Sequence, residues 1–67
     1  MWTVVYIAPT LAIAERLKQL LENEGMLVNL RRVDVDDVGR GNIEIQVPDG
    51  EAEEAHEIIT ENLGRLR

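Results

Sequence analysis

The most tempting group of potential ligand side chains in this 67-residue chain is Asp34, Asp36 and Asp37. Hard cations take several oxygen ligands from a flexible loop, and a loop at this point of the chain could supply them. The calcium-loop pattern fails, however. Val38 stands where a ligand is due and no glutamate follows at the required spacing. The reading is a solvated loop whose aspartates discourage edge pairing, with no metal bound. Next to it, Gly39-Arg40-Gly41 could form a nest of backbone amides for an anion, with Arg40 adding charge. It lacks the longer glycine pattern of a phosphate loop and does not lead from a strand into a helix, so a turn is the preferred reading. Asp36, Asp37 and Arg40 are kept as the candidate residues of a weaker, effector-binding alternative.

His56 is the only histidine. A general base needs a nucleophile or a substrate site within reach. The chain offers three threonines, no serine and no cysteine, and no paired carboxylates can be assigned to a cleft. No catalytic residue and no cofactor are expected, and the chain is read as a non-enzyme.

Trp2, Val4 and Tyr6 share the parity of the first apolar segment, so a strand there projects them from one face. If Thr3, Val5 and Ile7 point at the helices, the two aromatics and Val4 lie on the uncovered face, where a large apolar patch marks an interface. The opposite parity would make both aromatics core. RNA-binding sheets also display aromatics, but they pair them with basic charge. Here only Arg31 and Arg32 lie near in sequence, against a net charge of −6.

That charge comes from 13 acidic against 7 basic residues, and it repels phosphate backbones and anionic lipid, arguing against nucleic acid and membrane as partners. No apolar run approaches the roughly 18 residues of a membrane span, and the N-terminus lacks a basic segment leading into an apolar one. A cytoplasmic, bacterial or archaeal, setting is the default expectation. The hydrophobic fraction of 45% and charged fraction of 30% are those of a folded domain. A chain this short makes one domain, residues 1–67, and buries only about 60% of its unfolded surface, leaving a thin core. Without cysteines, neither disulfides nor thiolate metal sites can reinforce it. Self-association or economical packing must do so instead.

The elements that hold these residues follow from periodicity. Residues 2–7 are aromatic and β-branched, a first strand that Pro9 should stop. Thr10 is placed to cap a helix over 11–24, in which Leu17, Leu20 and Leu21 repeat at helical spacing, with Ile13 and Ala14 before them. Gly25 stands where a left-handed cap belongs. Residues 26–33 read as a second strand, with Val28 and Leu30 inward and Asn29 and Arg31 opposite. Residues 34–41 read as a loop. Ile43-Glu44-Ile45-Gln46-Val47 alternates as a third strand with one wet face, which Pro48 ends. Asp49 could cap a second helix whose apolar stripe is Ala52, Ala55, Ile58, Ile59 and Leu63, with Gly64 closing it. Glu51, Glu53 and Glu54 suit that helix's start, and Arg65 and Arg67 its end. Applied to strands 1 and 3, the right-handed crossover rule predicts parallel partners with both helices on one face. The expected fold is a truncated ferredoxin-like β-α-β-β-α sandwich of the α+β class, with a three-stranded sheet.

Tyr6-Ile7-Ala8, Ala14-Glu15 and Leu20-Leu21-Glu22-Asn23-Glu24-Gly25-Met26 resemble the opening of a bacterial domain-of-unknown-function family whose members carry the label of prokaryotic signal-transducing proteins. Ile45-Gln46-Val47-Pro48, Ala52-Glu53-Glu54-Ala55 and Ile58 are similar to that family's closing strand and helix. The resemblance spans nearly the whole chain, in structural positions. Where family members often carry an acidic residue before the first-helix alanine, this chain has Ile13. The resemblance implies the ferredoxin-like fold and a signalling role.

The functional expectation is a small regulatory or adaptor module that associates through its open sheet face and the edge of strand 1. Its partner would be a second copy, as a homodimer, or another protein. Trp2, Val4, Tyr6 and Arg31 are the candidate contact residues.

Overall fold

The computed structural model describes residues 1–66. Strand β1 spans Trp2–Thr10, helix α1 Leu11–Asn23, strand β2 Asn29–Val33, strand β3 Arg40–Pro48 and helix α2 Ala52–Asn62. Single 3₁₀ turns at Asp49–Glu51 and Leu63–Leu66 flank α2. The sheet order is β1-β3-β2, and both helices pack on one face. This is the truncated ferredoxin-like β-α-β-β-α sandwich.

The strands are antiparallel throughout. The expected parallel pairing of β1 with β3 is corrected by the hairpin. β2 and β3 run antiparallel because a short loop joins them, and α1 carries the chain across from β1 to β2 on the far side of β3. The crossover rule therefore applies to β1 and β2, and β3 between them opposes both.

Local chemistry explains the borders of α1. Thr10 has extended backbone and its Oγ1 accepts from the Ile13 N–H at 3.2 Å, an N-cap. At the other end Gly25 sits at φ 86°, its N–H donates to the Glu22 carbonyl at 2.9 Å, and the Met26 N–H donates to the Leu21 carbonyl at 3.1 Å. These two bonds make a Schellman cap, and the buried Met26 supplies its apolar contact. Because residues 26–28 are spent leaving this cap, β2 starts at Asn29 rather than Met26.

Further borders differ from expectation. β3 begins at Arg40, inside the stretch 34–41 expected to be a loop, because Arg40 already pairs with Thr10 of β1. β1 runs through Pro9 to Thr10, which an edge strand permits because it need not donate on its free side. Asp49 does not cap α2. It lies in the preceding 3₁₀ turn, and its carboxylate accepts from the Thr3 hydroxyl while its N–H donates to the Met1 carbonyl at 3.0 Å. The N-cap position of α2 falls on Glu51, with no side-chain cap, though Glu53 and Glu54 occupy the first turn as expected. Gly64 falls inside the closing 3₁₀ turn instead of at a left-handed cap. Arg67 lies outside the described residues, and so does the Arg65 side chain.

The core lies between sheet and helices. Ile43, Ile45 and Val47 of β3 and Leu17 and Leu21 of α1 are fully buried, and Ile59 of α2 nearly so. Each such side chain contributes about 1.5–3 kcal/mol of transfer free energy. Glu44 and Gln46 alternate onto the other face. Among the described residues no helix is long and apolar enough to cross a membrane.

Candidate functional site

The uncovered face is built by register. Directly paired antiparallel residues share a face, so the buried Ile43, Ile45 and Val47 identify their partners Ala8, Tyr6 and Thr3 as helix-facing. Gln46, Glu44 and Pro48 identify Val4, Ile7 and Trp2 as open-face residues. Trp2 and Ile7 are thus both on the open face despite opposite parity. The register shift between Val4 and Tyr6 accounts for this: Val5 is an extra residue, a β-bulge, and it resets the alternation.

The bulge splits the expectation for strand 1. Trp2 and Val4 lie on the open face, exposed by 48% and 44%. Tyr6 does not join them. It is partly buried against the core, as is Val5, and Ile7 takes its place outside at 53% exposure. A strict period of two cannot anticipate one inserted residue. The signal available in sequence was the run Val4-Val5-Tyr6-Ile7, four apolar residues in a row where a half-wet strand should alternate.

Across the same face the β3 and β2 residues are polar and paired. Arg31 Nη1 donates to Glu44 Oε1 at 3.3 Å, Gln46 Nε2 donates to the same oxygen at 3.1 Å, and Asn29 Nδ2 donates to Gln46 Oε1 at 3.0 Å. The candidate Arg31 therefore sits on the open face but is engaged within this network.

Backbone geometry singles out the β1 edge. The bond from the Asp49 N–H to the Met1 carbonyl makes these two a hydrogen-bonded pair. Alternation then makes Trp2 with Pro48, and Val4 with Gln46, non-hydrogen-bonded pairs, whose N–H and C=O groups turn away from each other. Pro48, having no N–H, fits such a position. Trp2 and Val4 consequently direct their backbone groups to the free side of β1, which no strand among the described residues covers.

The β2–β3 loop is a closed turn. Asp36 Oδ1 accepts from the N–H groups of Val38 at 3.0 Å and Arg40 at 2.9 Å, and the Gly39 N–H donates to the Asp36 carbonyl at 3.1 Å. The Gly39 and Arg40 amides that an anion nest would offer are consumed inside the loop. Arg40 Nε pairs with Asp36 Oδ2 at 3.5 Å, while Asp37 is exposed nearby, in a shallow dish of about 320 Å³. The Gly39 carbonyl accepts from the Leu11 N–H at 2.7 Å, tying the loop to the start of α1. Gly41 is required by close approach, since a Cβ there would lie 2.6 Å from the Asp34 carbonyl oxygen. Among the described residues no three His, Asp or Glu side chains converge to hold a cation.

A larger groove of about 600 Å³ runs between α1 and β2, lined by Leu11, Glu15, Lys18, Glu22 and Arg32 among others. Its acids and bases alternate without a dominant charge. His56 is exposed on α2.

Compared with family models, curated proteins and solved structures, the chain matches none.

Proposed function

We propose that this chain is a small non-enzymatic regulatory or adaptor module that acts by protein–protein association through the β1 half of its open sheet face and the β1 edge. The observation that carries the reading is the stripe of Trp2, Val4 and Ile7, all close to half exposed on a face that no helix among the described residues covers. Apolar side chains grouped on an uncovered sheet mark an interface. The edge beside them adds unpaired backbone donors and acceptors. The reading also answers the stability problem of a short, cysteine-free chain, because association adds apolar burial that the core alone lacks.

The resemblance to signal-transducing domains favours the same class of role in a bacterial cytoplasm. The acidic net charge of −6 favours protein over nucleic acid or anionic lipid as the partner. An effector site at Asp36, Asp37 and Arg40 draws no comparable support, since the Val38, Gly39 and Arg40 amides are already bonded within the loop.

Native mass spectrometry and sedimentation of the full chain test the proposal. The expected result is a species of two or more chains, or one carrying a second protein, that Trp2→Ala with Ile7→Ala dissociates while the circular dichroism spectrum is unchanged. A bare monomer at high concentration, with no protein co-isolated from the native host, overturns it.

A further inference from the structure

We infer that the occupant of this site is a second copy of the chain, and that the two copies pair β1 against β1 antiparallel about a two-fold axis normal to the sheet, joining two three-stranded sheets into one of six strands. The inference rests on the association reading above and specifies its partner and geometry.

The two sheet edges differ in how they meet a neighbouring chain. β2 is five residues long and carries Arg31 and Arg32, a short and charged edge of the kind that resists pairing. β1 is nine residues long, Trp2–Thr10, and contains no charged residue at all, in a chain whose charged fraction is 30%. Two bodies of net charge −6 repel each other, so a self-contact needs a surface free of charge. β1 is that surface. An antiparallel two-fold contact also places each strand opposite itself, so no charged side chain enters the pairing from either side.

The backbone geometry fits. Trp2 and Val4 present their N–H and C=O groups to the free side in the straight part of the strand before the bulge, where a partner strand can reach them. Pro9 marks the far limit of that edge, because it has no N–H to donate.

A two-fold axis normal to the sheet keeps the helices of both copies on the same side. The open faces then continue into each other, and the Trp2, Val4 and Ile7 stripes of the two copies become neighbours at the centre of the joint sheet. Opposed residues in an antiparallel pair share a face, so the edge contact and the apolar contact form together. The polar network of Asn29, Arg31, Glu44 and Gln46 is left at the two outer flanks.

The test separates edge pairing from packing of one open face on another. Val4→Pro removes an N–H that faces the free side, so it deletes an edge hydrogen bond without breaking the β1–β3 ladder. Sedimentation velocity of this variant is expected to show a monomer, with at least a tenfold loss of dimer affinity and an unchanged circular dichroism spectrum. Hydrogen exchange on the unmodified chain gives an independent reading if Val4→Pro does not fold. The Trp2 and Val4 amides should be protected at dimer concentrations and exchange freely on dilution. A dimer that survives Val4→Pro, or whose Trp2 and Val4 amides exchange freely, overturns the edge geometry while leaving association through the open face standing. A wild-type chain that stays monomeric at high concentration and co-isolates with no protein from its host overturns both, and a complex that holds only a different protein overturns the self-pairing alone.

Discussion

The open sheet face manages its exposure in two different ways. On the β2 and β3 side, Asn29, Arg31, Glu44 and Gln46 bond to each other side chain by side chain, so that half is finished as a water-facing surface. On the β1 side, Trp2, Val4 and Ile7 stand close to half exposed, with neither a polar partner nor a charge in the strand. Both halves belong to one sheet and one solvent boundary. A protein that needed only solubility would treat them alike. On the association reading proposed above, the β1 half is the contact surface and the β2–β3 half faces solvent.

The largest test of that contrast uses neighbours on opposite faces. Tyr6→Ala removes a ring packed against the core, and should lower unfolding stability by about 2–4 kcal/mol in urea titration. Ile7→Ala, one residue on, should cost a dilute monomer less than about 1 kcal/mol yet weaken association severalfold in the same sample. Equal losses would mean that the bulge does not separate the two faces.

A smaller effect is expected from deleting Val5. Without the extra residue, Val4 pairs with Gln46 and Tyr6 with Ile45 in unbroken register, so every other β1 side chain keeps its face. The deletion should fold, with a cost limited to the lost packing of Val5, about 1–2 kcal/mol by thermal melting. Failure to fold would show that the bulge's bend, and not only its count, is required.

The smallest effect belongs to the polar half. Arg31→Ala or Glu44→Ala breaks a pair whose arginine side chain is 64% exposed, and should change stability by no more than about 1 kcal/mol, less in high salt. Dimer affinity should not move. A loss of association equal to that of Ile7→Ala would erase the distinction between the halves.

Much of the fold was legible in the residues because local chemistry dictates it. Thr10 caps α1 and Gly25 ends it in the left-handed conformation, each through bonds to residues within a few positions. The alternation Ile43-Glu44-Ile45-Gln46-Val47 sorts β3 between core and water by period alone. Asp49 departs from the local rule for a complementary reason. An aspartate before a helix is a cap by local rules, but here its carboxylate is taken by the Thr3 hydroxyl, 46 positions away.

The candidate site divides in the same way. Composition and parity were enough to nominate Trp2 and Val4, because an apolar, charge-free segment in an acidic chain is visible without coordinates. The exchange of Tyr6 for Ile7 was not, since a bulge depends on how β1 meets β3 and not on β1 itself. The sequence by itself determined the elements, the two caps of α1 and the amphipathic faces of β3 and the helices, all set by interactions over a few residues. Only the tertiary structure decided that β3 lies between and antiparallel to its neighbours, that Val5 shifts the register, and that the uncharged β1 is left at the edge. Those outcomes come from strand pairing between distant segments, where the free energy belongs to the pair and neither strand alone specifies it.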